Sequence, residues 1–191
     1  SRFELLLDAG FGAQKAGDIL IKAFAAMGKN VFIEPMIPAE ISPPPRTRYS
    51  LSGVIIRVAD FEINDAGSDT DVILAAHEVV LDRRLDDEET NPRCQVLLDM
   101  ADKESNQEAY DKVCKRVTEL GLNIIPFELD ADSQTLVRGM SGAGKNMFYL
   151  GMLTSIYNAD RDLVVLEIKK AFKKLDEVVL GKNLKLFQNG Y

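Results

Sequence analysis

The chain has 191 residues, 46% hydrophobic and 28% charged, a balance that fits one globular core and excludes a disordered or fibrous protein. A formal net charge of −7 argues against a broad nucleic-acid footprint and, unless a local basic patch overrides it, disfavours docking to an acidic electron carrier. Two cysteines and one histidine fall short of the about four ligands that a structural zinc or a cubane cluster needs.

The opening segment Phe3–Asp8 reads as a buried strand running into the turn Gly10-Phe11-Gly12. Ala16, Ile19, Leu20, Ala23, Phe24 and Met27 recur at helical spacing, with Gly28 at the stop, and Val31–Met36 follows as a second strand. Strand, helix and strand in this order predict a right-handed crossover and a parallel pair. Pro43-Pro44-Pro45 makes 38–50 an extended loop, because proline has no amide to donate.

Leu51–Ala59, Val72–Ala76 and Gln95–Met100 read as three more buried strands. Ser105 and Glu108 have capping-box spacing ahead of a helix with Ala109, Val113, Val117 and Leu120 on one face, and Asn123–Leu129 is a sixth strand. The pattern then turns helical, through Met147–Tyr157, a stripe of Val164, Ile168, Ala171, Phe172 and Leu175, and Leu184–Phe187. The expectation is an α/β, Rossmann-like, three-layer domain over residues 1–191: a mostly parallel sheet covered by helices, with a helical C-terminal tail. No leader or apolar run of about 18 residues is visible, so a cytoplasmic protein with no membrane contact is expected, its Cys94 and Cys114 buried and reduced.

Ligands of open α/β sheets gather where strands end and helices begin, and Gly10-Phe11-Gly12-Ala13-Gln14-Lys15 holds that position. As a dinucleotide fingerprint it is incomplete: Lys15 replaces the third glycine, and Glu34 is an unconvincing ribose acid. A structural turn, another anionic ligand and a subunit contact stay open. Gly139 to Asn146 copies phosphate-loop spacing with Lys145 in the lysine place, yet Asn146 stands where Ser or Thr should bind magnesium, and Ser133–Arg138 is a poor strand.

Arg46 and Arg48 have the bidentate donors that suit a carboxylate or phosphate, and they equally suit a solvated or subunit-contacting loop. His77, without an evident partner, is expected to be structural, and Asp86-Asp87-Glu88-Glu89 to be a solvated surface.

Together these pieces resemble one family. Gly10-x-Gly12-x-Gln14 is similar to the Gly-x-Gly-Gly-Gln-Gly turn of the gamma domain of pyruvate and 2-oxoglutarate:ferredoxin oxidoreductases. Pro38-Ala39-Glu40-Ile41, Pro43-Pro44-Pro45-Arg46, Ser52-Gly53 and Ile56-Arg57 resemble the loop and third strand of the 2-oxoglutarate-like branch. Lys145-Asn146-Met147 with Leu150-Gly151 resembles the family's Asn-Met-x-x-Leu-Gly helix start.

The resemblance implies the gamma subunit of a 2-oxoacid:ferredoxin oxidoreductase, which turns a 2-oxoacid, 2-oxoglutarate or pyruvate, into acyl-CoA and carbon dioxide while reducing ferredoxin. It implies no catalytic residue, metal or cofactor on this chain alone. Thiamine diphosphate, Mg and iron–sulfur clusters would sit on thiamine-binding alpha/beta subunits and an iron–sulfur subunit of delta or ferredoxin type, through which ferredoxin is reached. Coenzyme A would be co-substrate at a shared site, with Gly10, Phe11, Gly12 and Gln14 lining the turn, Arg46 facing the incoming anion and Asn146 bracing the loop. Ala13 and Lys15 stand where the family has glycines, which narrows the backbone approach, and Lys15 would offset this by pairing with phosphate. A separate chain of this length fits the unfused arrangement of the family. Two alternatives are a nucleotide-binding protein using Lys145 and an assembly subunit with no ligand.

Overall fold

The first strand, β1 (Arg2–Asp8), is buried along its whole length. Side chains alternate across a strand, so Phe3, Leu5 and Leu7 enter one hydrophobic core while Leu6 enters another on the opposite face. In the computed structural model, which describes residues 1–87 and 90–191, β1 lies inside a six-stranded sheet of order β2-β3-β1-β4-β5-β6. The other strands are β2 (Asn30–Met36), β3 (Leu51–Ala59), β4 (Val72–Ala75), β5 (Gln95–Asp99) and β6 (Asn123–Phe127).

β1, β4, β5 and β6 pair in parallel, and β3 runs antiparallel to both β1 and β2. The parallel β1–β2 pair expected from the sequence is therefore not made. β2 points the same way as β1, but β3 occupies the slot between them, with Leu5 opposite Val54 and Ile33 opposite Ile56.

One face is covered by α1 (Ala13–Ala26), α5 (Lys145–Ile156), α6 (Arg161–Ala171) and α7 (Glu177–Gly190), the other by α2 (Glu78–Arg84) and α3 (Gln107–Glu119). α4 (Ala131–Arg138) joins β6 to the late helices. The C-terminal helical stretch is thus folded back as a layer of the domain. α5 is the most buried helix of that layer, and it meets α7 backbone to backbone: a Cβ built on Gly151 would collide with the Phe187 carbonyl, and one on Gly190 with that of Phe148.

Two local expectations change. Ser105 lies in a short 3-10 turn and Asn106 precedes α3 without capping it through its side chain, donating instead to the Asp102 carbonyl at 3.0 Å, so the capping box is not formed. Asp86 and Asp87 are ion-paired rather than simply solvated, Asp86 with Arg48 and Arg116 and Asp87 with Arg83, while Glu88 and Glu89 lie outside the described residues.

Charge is also buried where β1 begins. Glu4 accepts from Arg84 Nε at 2.6 Å, Arg84 Nη2 at 2.8 Å, Arg2 Nη1 at 3.1 Å and Thr70 Oγ1 at 2.6 Å, which satisfies a carboxylate with no exposed surface. Cys94 is buried beside this cluster and Cys114 is only half-buried, and both are free thiols. Burial pushes the Cys94 thiol up to about 12. Among the described residues, no helix is long and apolar enough to cross a membrane.

Candidate functional site

The chain leaves β1 through α1 on one face of the sheet, and leaves the neighbouring parallel strand β4 through α2 on the other. Diverging connections open a crevice at the carboxyl ends of those two strands, the usual ligand position in an open α/β sheet. A cavity of about 270 Å³ lies there, lined by Leu7, Asp8, Phe11, Pro45, Arg46, Ala76, His77, Asp102, Gly142 and Lys145.

Asp8 closes β1 and His77 follows β4, so the parallel register brings two residues distant in the chain together, with His77 Nε2 3.0 Å from Asp8 Oδ2. The histidine thus has the acidic neighbour that its sequence context hides. Burial alone would raise the Asp8 carboxyl. Contacts with His77, the Ser50 hydroxyl and the Arg46 amide outweigh it and hold the carboxyl below its ordinary value.

The proline loop closes over this pair. Arg46 adopts φ +56° and donates its amide to both Asp8 oxygens at 3.1 Å. Its guanidinium reaches outward to Glu78 at 2.5 and 2.7 Å and to Asp102 at 2.7 Å. Burial would lower the Arg46 pKa, but Glu78 and then Asp102 hold it above its usual value. Arg48 pairs with Asp82 and Asp86, which Arg116 shares, so both arginines of the loop are strapped to α2 and its surroundings.

The two glycine turns meet at the same rim. Asn146, in the first turn of α5, donates Nδ2 to the Gly12 carbonyl at 3.1 Å, and a Cβ on Gly142 would stand 3.2 Å from the Phe11 ring. Gly12 is left-handed and directly precedes α1, and Gly144 holds the equivalent place before α5. Between the turns runs a groove of about 250 Å³ whose lining includes Gly10, Phe11, Gly12, Lys15, Asn146 and Asn183.

Of the residues expected at a site, Gly10, Phe11, Gly12, Lys15 and Asn146 converge on this groove, and Phe11 and Arg46 line the neighbouring cavity. Gln14 points elsewhere, donating to Ser52 Oγ at 2.9 Å and to the Gly53 and Met36 carbonyls at 3.2 and 3.3 Å, where it ties α1 to β2 and β3. Lys145 lies 3.1 Å from the buried Asp99 carboxylate, which also accepts the Tyr149 hydroxyl at 2.7 Å. The Gly139–Gly144 turn springs from helix α4 rather than from a strand, so the phosphate-loop reading loses its structural setting.

Nothing local in the sequence marks Asp8, Glu78, Asp99 or Asp102 as site residues. Their shared signal is position: Asp8, Asp99 and Asp102 end or follow parallel strands, and Glu78 opens the helix after one. Among the described residues, no group of three or more His, Cys, Asp or Glu side chains is arranged to hold a metal ion.

Comparison with known proteins agrees with this fold. The 2-oxoglutarate oxidoreductase subunit KorA of Mycobacterium tuberculosis is 26% identical over 198 residues, which cover 94% of this chain and 29% of that protein. The 2-oxoglutarate:ferredoxin oxidoreductase of Magnetococcus marinus, solved with 2-oxoglutarate, coenzyme A and succinyl-CoA bound, superposes with a TM-score of 0.76 at 20% identity, covering 99% of this chain and 30% of that one. The chain therefore spans about three tenths of these two proteins. The pyruvate oxidoreductase subunit PORC of Thermotoga maritima superposes with a TM-score of 0.70 at 18% identity, covering 100% of this chain and 94% of that one. The gamma subunit of a keto/oxoacid ferredoxin oxidoreductase from Geobacter sulfurreducens gives 0.63 at 18%, covering 99% and 93%. Residues 8–191 match the family described as pyruvate ferredoxin/flavodoxin oxidoreductase, and with both glycine turns gathered at one rim of the expected sheet, the chain belongs to that family.

Proposed function

We propose that residues 1–191 form the gamma component of a 2-oxoacid:ferredoxin oxidoreductase, and that it supports CoA-dependent oxidative decarboxylation by assembly and by contacts on the coenzyme A side. The observation that carries this is the Asn146–Gly12 hydrogen bond at 3.1 Å, which locks two separate glycine turns into one rim at the sheet's switch point. Gly10, Gly12, Lys15 and Asn146 suit an anionic ligand there, because the groove's lining among the described residues includes Lys15 and no carboxylate. Arg46, already matched by Glu78 and Asp102, holds the proline loop in place over the neighbouring cavity.

In this reading thiamine diphosphate, Mg and the iron–sulfur clusters are carried by thiamine-binding and iron–sulfur partners, which pass electrons to ferredoxin. The likeness to KorA and to the Magnetococcus enzyme favours 2-oxoglutarate as the 2-oxoacid. Purification of the assembled enzyme tests the assignment, since the chain should co-purify with those partners and show no decarboxylase activity alone. Lys15→Ala should raise the KM for coenzyme A about tenfold with cofactor content unchanged, as loss of a charged hydrogen bond predicts. An unchanged KM removes Lys15 from the site, and a chain that never accompanies such partners defeats the whole assignment.

A further inference from the structure

Charge is unevenly placed on this molecule. Residues 161–191 hold seven Lys and Arg against four Asp and Glu, although the whole chain carries −7. α6 buries Val164 and Ile168, so its other side faces solvent, and Leu166, Lys169 and Lys170 are exposed there. Lys173 and Lys174 follow one turn later, just past the end of the helix, and are exposed too. α1 packs beside α6 and extends the patch: Lys15 and Lys22 share the cleft between the two helices with Lys170, Asp18 and Glu167.

Internal needs account for little of this charge. Among the described residues, Lys170 alone of the six lysines has a carboxylate partner, Glu167 at 2.6 Å. Around α2, by contrast, Arg46, Arg48, Arg83 and Arg116 are each matched by carboxylates. Lys169 and Lys170 oppose the negative end of the α6 dipole, a need that one or two cations meet. Lys22, Lys173 and Lys174 lie outside that turn, and like charges four positions apart repel. An acidic partner relieves such repulsion. Leu166 is 46% exposed within the basic run and Leu175 is 43% exposed at its end, which adds the apolar contacts of a protein-binding face to a surface that charge alone would leave solvated.

We propose that this face, α6 with the adjoining side of α1, is where the ferredoxin of the reaction lands. The carrier is an acidic protein, which the chain's net −7 repels on average and this patch attracts. One electron passes from a reduced cluster on an iron–sulfur partner to the oxidised ferredoxin, and no group of this chain changes oxidation state. The lysines steer the encounter and orient the carrier, so they act on the rate of association more than on the lifetime of the complex. The inference rests on the oxidoreductase reading above and adds the surface that receives the acceptor.

Steady-state kinetics of the assembled enzyme with two acceptors test it: ferredoxin, and methyl viologen, a small cation that needs no basic landing surface. In the unaltered enzyme kcat/KM for ferredoxin should fall about fivefold or more between about 20 and 300 mM salt, while the viologen rate stays level. Lys169→Glu, Lys173→Glu and Lys174→Glu combined should lower kcat/KM for ferredoxin about tenfold or more at low salt and flatten its salt dependence. The viologen rate and the KM for coenzyme A should not move, and Arg at the same three positions, which keeps the charge, should leave ferredoxin kinetics as they were. Salt-independent ferredoxin kinetics in the unaltered enzyme, a result that needs no variant to fold, overturn the proposal, as does a triple Glu variant that reduces ferredoxin at the ordinary rate. A triple Glu variant that loses the viologen rate or sheds a subunit shows that these lysines seat a partner subunit, which also overturns it. If the assembled enzyme, given a 2-oxoacid and coenzyme A, reduces neither acceptor, the oxidoreductase reading itself fails.

Discussion

Placing a methyl group on Gly12 probes the joint between the two glycine turns. Gly12 has φ +84°, a conformation that costs an L-residue about 1–2 kcal/mol, and the new Cβ would stand 2.5 Å from Asn146 Nδ2. The Asn146 amide must swing away and give up its bond to the Gly12 carbonyl, a further ~0.5–1.5 kcal/mol. Gly12→Ala should therefore destabilise the chain by about 2–3 kcal/mol, or roughly 4–12 °C in Tm at this length. Because part of that cost is the collision, it should shrink to the backbone strain of about 1–2 kcal/mol in an Asn146→Ala background. A double-mutant cycle by urea denaturation measures the difference, about 1 kcal/mol of coupling. If Gly12→Ala costs the same in both backgrounds within about 0.3 kcal/mol, the two turns are not joined through Asn146 and the site as described does not exist.

Five other substitutions have signs fixed by the structure. The Asp8 carboxyl is held below its ordinary value in the fold, so its contribution is fully present above about pH 4 and is lost as pH falls through the folded pKa. Asp8→Asn should flatten that part of the pH dependence of the urea midpoint, and an unchanged acid limb would reject the assignment. Arg46→Met strips the bidentate partner from the nearly buried Glu78 and should cost about 1–3 kcal/mol, whereas Arg48→Met, in a more exposed network, should cost under ~1 kcal/mol; equal losses would refute the ranking. Gly190→Val drives a side chain into the Phe148 carbonyl and should strip hydrogen-exchange protection from α7, while Gly181→Ala, with open space around it, should stabilise by about 0.5–1 kcal/mol.

Apolar runs mark strands in the sequence, and β1, β3 and α1 lie where that pattern places them. Strand order is another matter. Nothing local in Leu51–Ala59 says that it will insert between β1 and β2, because order is decided by which edges are left after packing. α2 is hidden for a different reason: composition equates charge with exposure, yet Glu78 and Arg84 are buried, because Arg46 and Glu4 pair with them from distant parts of the chain. The same blindness applies at the site. Gly10, Gly12 and Asn146 are legible from the turns they make, but the direction of the Arg46 side chain depends on Glu78 and Asp102, which lie 32 and 56 positions away. Gly151 is an intermediate case, present in a recognisable motif, its physical reason evident only once α7 lies across it.

β1 has consequences beyond the crevice at its end. With Phe3, Leu5 and Leu7 anchored in one layer and Leu6 in the other, it is common to both halves of the interior, and neither layer can be completed while it is absent. A molecule knit this way has no seam along which to come apart in stages, so melting followed at either layer should trace one curve.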